Sequence, residues 1–291
     1  MKRFLLFLAL TIGSFFQLFA QPAAIEENSL LWEISGKDLK QPSYLFGTIH
    51  MINKKDFILT DATKTSLNKA QQVAFEINME EMSDFSVLMP LMMKAFMADG
   101  KTLRDLVSEE DYKLVKAHFD EMGMPLMMLE RIKPMFLSAM GAGDMQANGE
   151  MVSYEIELMK LAKNQDKPIA GLETAEFQMS MFDSIPYEAQ AQMLVESIKS
   201  SKGGDDQFDQ LVELYKKQDL VGLQKMLEGD GNIEQYEDLL LVKRNKNWIP
   251  VMAKMMVSNP TFFAVGAGHL GGEQGVISLL RKDGYAVRPL K

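Results

Sequence analysis

Hydrophobic positions near the start of the chain fall into short runs that predict strands. Ser29 to Ile34 reads as a first strand, Gly36 to Pro42 as a hairpin-like turn, and Ser43 to Phe46 as a buried partner strand that runs into Gly47-Thr48-Ile49-His50. The polar, alanine-containing stretch Asp61 to Ala70 predicts a surface helix opening at Thr60 or Asp61. Gln72 to Asn78 alternates as a strand should, with Val73, Phe75 and Ile77 on one face and Ala74 and Glu76 on the other. Glu150 to Lys163 has helical spacing, and Pro168 to Glu173 is a short strand after which Thr174 can cap a helix. Asp183 to Ser201 and Gln207 to Leu227 predict further helices, followed by one from about Glu234 and another over Trp248 to Val257. The chain closes with Thr261 to His269, a helix from Gly275 to Lys282 and a strand over Tyr285 to Leu290.

Two of these strands end alike. Gly47-Thr48-Ile49-His50 and Gly266-Ala267-Gly268-His269 are both G-x-x-H turns after apolar runs, and they hold two of the three histidines in the chain. Glycine lets the backbone approach a ligand closely, and histidine supplies a base or a metal ligand there. Glu76 and Glu173 take the same kind of position at two other strand exits. Loops beyond the carboxyl ends of strands are where α/β sheets bind ligands, so His50, Glu76, Glu173 and His269 are expected to converge. Two imidazoles with one or two carboxylates suit a hydrolytic metal site with a position open for water. His118, inside a polar-apolar helical stretch, reads as a surface residue.

Composition narrows the classes. A chain of 291 residues with 47% hydrophobic content can bury a large core, and no Pro/Gly/Ser-rich linker divides it, so residues 21–291 read as one domain. Residues 1–20 have the form of a secretory leader: Lys2 and Arg3, an apolar run from Phe4 to Ile12, and a small-residue exit at Ala20. Its removal takes the net charge from −9 to −11, a surface that repels nucleic acid, and leaves no transmembrane segment. Cysteine is absent, which excludes disulfides, a thiol nucleophile and cysteine-based zinc sites. These features suit an exported protein, periplasmic or extracellular. Nothing in the chain indicates its oligomeric state.

Most of the 24 methionines fall between Met79 and Met181, and segments such as Leu88 to Met97 and Leu126 to Met140 predict helices. The segment, about 79–165, reads as a helical insertion whose methionines, Met92 and Met128 among them, pack an adaptable core. The competing reading is a pliable groove for an extended peptide or an apolar ligand. No G-x-S-x-G elbow, H-E-x-x-H helix, G-x-x-x-x-G-K-[ST] phosphate loop or true dinucleotide-binding glycine pattern occurs.

Five separated motifs stand in one order: Gly47-Thr48-Ile49-His50, Phe75-Glu76, Gly171 to Thr174 (G-L-E-T), Arg244-Asn245 and Gly266 to His269. In this the chain resembles the TraB/GumN family, related to the TIKI proteins, membrane-tethered metalloproteases that cleave Wnt, and to bacterial pheromone-shutdown proteins. The resemblance runs from about Leu31 to the C-terminus. It implies a metal-dependent site in which His50, His269 and Glu76 are catalytic and hold the ion, and in which Arg244 clamps an oxyanion or a carboxylate. With Glu173 as a further candidate ligand, the cofactor expected is a divalent ion, Mn, Co or Zn. A Wnt substrate does not carry over, and the C-terminal membrane anchor of the TIKI proteins is missing.

The fold expected is α+β, a central sheet built from the N- and C-terminal portions with the Met-rich helical insertion between, of the TIKI/TraB/erythromycin-esterase-like kind. The function expected is an exported metal-dependent hydrolase, a peptidase acting on a peptide or protein, with Glu76 as ligand or base. Two alternatives stay open: a non-catalytic binding protein for a peptide signal or haem, and an esterase-like hydrolase using a histidine base without metal.

Overall fold

A computed structural model of the chain describes residues 28–81, 84–138, 140, 151–202, 206–228 and 235–291. The leader expected over residues 1–20, and Glu150 at the start of one expected helix, lie outside them. Eight strands are described: β1 (Leu31–Ser35), β2 (Ser43–Thr48), β3 (Ile52–Asn53), β4 (Gln72–Ile77), β5 (Met151–Val152), β6 (Ile169–Glu173), β7 (Thr261–Gly266) and β8 (Ala286–Leu290). Six of them form one mixed sheet in the order β6-β4-β7-β2-β1-β8, while β3 and β5 pair separately. β6, β4, β7 and β2 run parallel, and β1 is antiparallel to both β2 and β8. The fold is α+β, as the strand and helix patterns predicted.

The alternation in β4 decides which side of the sheet carries the chemistry. Val73 and Phe75 face a core shared with Phe46, Tyr154 and Phe262, into which α1 (Asp61–Lys69) sends Leu67. Ala74 faces the other core, with Trp32, Leu45, Trp248, Met252 and Phe263, and Glu76 lies on that same face. Each face is closed by helices, which is why β2 and β7 read as unbroken apolar runs.

Between β4 and β6 the chain forms α2 (Phe85–Lys94), α3 (Glu109–Glu121) and α4 (Tyr154–Lys163) with short 3-10 turns; α5 (Ala175–Phe182) and α6 (Tyr187–Lys202) follow β6. A third apolar cluster joins Tyr112, Val115 and Phe119 of α3 to Leu194, Val195 and Ile198 of α6, apart from the sheet. His118 lies on α3, half-buried, with its ring edge-on to Phe119.

Several expectations need correction here. Met92 is 50% exposed and Met128 77% exposed, so neither is core. Only Leu91 of α2 is buried, because that helix is apolar on almost all sides and has a packing partner on few of them. Leu126 to Met140 is not one helix: a 3-10 turn (Leu126–Met128) is followed by chain that bonds back to Ala95 and Met97, and helix resumes only at Pro134. Gln207 to Leu227 is two helices, α7 (Asp206–Lys216) and α8 (Leu220–Glu228), parted by Gln218 at φ 55, a left-handed value no helix interior accepts. By contrast α9 (Lys243–Ser258) is continuous through Asn245 and Trp248, where two helices were expected, and it carries Pro250 within. α10 (Val276–Lys282) completes the set. Among the described residues no helix is long and apolar enough to cross a membrane.

Candidate active site

The four parallel strands end on one edge, and each exit delivers one of the expected groups: His50 two residues beyond β2, Glu76 inside the end of β4, Glu173 as the last residue of β6, and His269 in the turn after β7. Three of them, His50, Glu76 and His269, meet at Gly266. A Cβ placed there would lie 3.3 Å from Glu76 Oε1, 3.6 Å from His269 Cδ2 and 3.8 Å from His50 Nε2. Its amide donates to Glu76 Oε1 at 2.8 Å. A side chain there would press on Glu76 and fill the space against both rings, so the glycine keeps the floor of the site open.

Arg244 organises the polar network. It is reached from α9, preceded by a π-helical segment (Asp238–Val242) that leaves the Leu240 carbonyl available to Arg244 Nη1 at 3.1 Å. Nη1 also donates to His269 Nε2 at 3.1 Å, Nη2 donates to Glu76 Oε2 at 2.5 Å and to Glu173 Oε1 at 2.7 Å, and Nε donates to Glu173 Oε1 at 3.0 Å. A guanidinium has five N–H donors, and all five are thereby used. Trp248 Nε1 donates to Glu173 Oε2 at 2.9 Å, so both oxygens of Glu173 are engaged. The Arg244 guanidinium lies over the Trp248 ring at 4.9 Å, and the His269 ring packs on that indole at 4.4 Å. Three side chains at i, i+1 and i+4 of α9, Arg244, Asn245 and Trp248, thus serve one site.

The state of His269 follows from its partners. Asn245 Nδ2 donates to the Gln274 carbonyl at 3.0 Å, which turns Asn245 Oδ1 toward His269 Nδ1 at 2.7 Å. Nδ1 therefore carries the proton and Nε2 the lone pair. Burial lowers the pKa of His269 to about 3; Arg244 and His50 add to this, and Glu76 opposes it. The ring is neutral near pH 7. For Glu76 burial works upward, but the charges of His269, Arg244 and His50, with the Gly266 amide, hold it at about 2. Since His269 is uncharged above about 3, the charges that keep Glu76 ionised near neutrality are those of Arg244 and of His50 in its protonated form. Gln178 of α5 adds a bond to Glu76 Oε2 at 3.3 Å.

His50 is held differently. Its Nδ1 meets Glu155 Oε1 at 3.0 Å, and that hydrogen bond, opposed by desolvation, raises its pKa to about 9. The side chain is 72% exposed, so water on its open face draws the value back toward the ordinary one while the direction stands.

Among the described residues no three His, Asp or Glu side chains are gathered closely enough to hold a metal ion. The donors nevertheless fit one in kind. Each imidazole has Nδ1 against an oxygen acceptor, Glu155 or Asn245, which is how an outer partner orients a ligating histidine; His269 Nε2 lies 3.8 Å from Glu76 Oε1, and His50 Nε2 lies near Gly266. What holds His269 Nε2 and Glu76 together at present is the Arg244 cation.

Sequence reasoning missed Glu155, Gln178 and Trp248. The first two read only as polar positions on helices, and nothing in their spacing points to β2 or β4. For Trp248 a signal existed: it lies four residues beyond Arg244 on the same helical face.

A model described as the TraB/PrgY/gumN family matches residues 30–289. Metalloprotease TIKI2 of Danio rerio is 24% identical over 318 aligned residues, which cover 89% of this chain and 60% of that protein. Metalloprotease TIKI1 of Homo sapiens is 25% identical, over 92% of this chain and 63% of that protein. The Metalloprotease TIKI homolog of Nematostella vectensis is 21% identical, over 91% and 67%. The chain thus spans roughly 60% of the length of the first two relatives. No solved structure matches it. With a family match that takes in β1 and nearly all of β8, and the five motifs within it, the chain belongs to the TraB/PrgY/gumN family.

Proposed function

We propose that this chain is an exported metal-dependent hydrolase that cleaves peptide bonds. The observation that carries the reading is the meeting of His50 Nε2, Glu76 Oε1 and the His269 ring around the Gly266 backbone, from three strand ends far apart in sequence. The metalloprotease names of the relatives support the reaction class. The apolar, leader-like residues 1–20 support export.

In this reading His50, His269 and Glu76 hold the ion, which when bound would act as a Lewis acid and lower the pKa of a water molecule. Glu76 supplies fixed negative charge. A carboxylate held at about 2 is a poor proton acceptor near pH 7, so the ligand role is favoured over that of general base. Glu173 anchors Arg244, since both of its oxygens are already engaged. Arg244 is a carboxylate clamp first; its Nη1 becomes a free donor for a substrate oxygen only when His269 Nε2 is otherwise occupied.

The polypeptide substrate is supported by α2. Phe85, Met89, Met92, Met93 and Phe96 form an exposed apolar run on and just beyond that helix, which follows the Glu76 strand. Lys94 of α2 pairs with Glu176 of α5, the helix that bears Gln178. Apolar side chains of a substrate would find an adaptable surface there.

The test is chelation. Purified protein incubated with a pool of unstructured peptides should give cleavage products by mass spectrometry, lose that activity in EDTA and regain it with Mn or Co. Cleavage unaffected by thorough metal removal would instead support the histidine-base alternative.

A further inference from the structure

Glu155 receives three hydrogen bonds from side chains of two different segments. Oε1 faces Thr48 Oγ1 at 2.7 Å and His50 Nδ1 at 3.0 Å, and Oε2 accepts from Ser153 Oγ at 2.9 Å. The residue stands in the first turn of α4, where unpaired amides favour a carboxylate, and Ser153 caps that helix through the Ile156 amide.

The surrounding fold is arranged to bring these residues together. The two-stranded β3–β5 sheet pairs Ile52 with Val152 and Asn53 with Met151, which ties the residues just after His50 to those just before Glu155. Tyr154 is buried between them, packed on Phe46, Phe57 and Tyr215, and its hydroxyl donates to the Ile58 carbonyl at 2.9 Å. Glu155 therefore sits on a rigid mount, whereas His50 stands on an exposed loop between β2 and β3.

We propose that Glu155 is a positioning residue of the site: by accepting the Nδ1 proton of His50 it fixes the tautomer that leaves Nε2 bare and holds that nitrogen at Gly266, whose amide binds Glu76. The statement about the ring stands on geometry; its consequence for metal affinity rests on the hydrolase reading. His50 then mirrors His269, with a carboxylate in the place Asn245 takes for the other ring. Outer partners of this kind orient a ligating imidazole, and losing one typically costs about 10–100-fold in metal affinity.

Three variants of the full chain separate positioning from folding. Glu155→Gln keeps an acceptor at the same reach, Glu155→Asp keeps the charge at the start of α4 but shortens the reach by one methylene, and Glu155→Ala removes both. The nitrogen chemical shifts of labelled His50, read at a pH where the ring is neutral, should show the Nδ1-protonated tautomer in the wild type and in Glu155→Gln, and a mixture of tautomers in the other two. Co(II) titration should show affinity lowered about 10–100-fold in Glu155→Asp and Glu155→Ala but within about threefold of wild type in Glu155→Gln. If wild type binds no Co(II), the hydrolase reading fails while the tautomer measurement still decides the role of Glu155. Unchanged His50 shifts and Co(II) affinity in folded Glu155→Asp would overturn the proposal, as would a mixed tautomer in the wild type.

Discussion

The site and the outer face of α2 break the usual rule of burial in opposite directions. At the strand ends an arginine, two glutamates and a histidine are buried, each with partners: Arg244, Glu76, Glu173 and His269 all lose nearly all contact with water. On α2 methionines and phenylalanines face solvent and only Leu91 is inside. Burying charge costs stability unless every donor and acceptor is matched, whereas exposing methionine costs little in a folded chain. The first region is thus held together by its own polar bonds, and the second contributes little to holding the fold.

The sharpest way to break this comparison is Arg244→Ala. It leaves Glu76 and Glu173 buried without their counter-charge, and denaturant unfolding should show a loss of about 3–5 kcal/mol. Arg244→Lys should recover only part, because an ammonium cannot offer five donors in a planar fork. A loss below about 1 kcal/mol would mean that the network is open to water.

Acid should reach the site next. His269 has a folded pKa of about 3 against an ordinary value near 6.5, and Glu76 about 2 against about 4.5, so between these limits the unfolded chain binds more protons than the native one. Stability should rise with pH from about 3 to 6.5 and be lost on acidification through the same window. In His269→Gln the slope between about pH 4.5 and 6.5 should flatten, read from urea midpoints at each pH. His50 acts with the opposite sign: its raised pKa adds stability that is present below about 6.5 and fades as pH rises above that value.

The smallest effect belongs to α2. Met92→Gln and Met93→Gln should shift unfolding by no more than about 0.5 kcal/mol, while Met252→Gln, within the core beside Trp248, should cost about 1–3 kcal/mol. Equal losses at the three positions would show that the α2 face is covered in solution.

The parts of this arrangement that were legible in the sequence are those set by local pattern. Apolar runs that end in glycine mark the exits of β2 and β7, and alternation or a short apolar run with a terminal glutamate marks those of β4 and β6, so the residues at all four ends could be placed from sequence. Their convergence follows from parallel pairing, since parallel strands end on one edge. Glu155 could not be found this way, because its role depends on β3 and β5, two strands of two residues each, too short to leave a periodic trace. The methionines misled for a related reason. Helical spacing shows that one face differs from the other, but α2 is apolar nearly all round, and sequence does not tell how many of its sides meet a neighbour. The continuity of α9 was hidden by the polar run Lys243 to Asn247, which parts two apolar stretches although the helix runs straight through it.

The central claim is that His50, His269 and Glu76 form one ion site, and equilibrium binding of Mn(II) or Co(II) to folded wild-type and variant protein tests it without requiring a substrate. The wild type should bind one ion per chain at micromolar concentration, with near-complete loss in His50→Ala and in His269→Ala, and joint loss of binding and hydrolysis in Glu76→Gln, because that carboxylate is assigned as a ligand. Binding retained in Glu76→Gln with hydrolysis alone lost would return Glu76 to the role of base. No binding by the wild type, or binding that both histidine variants keep unchanged, would contradict the shared site.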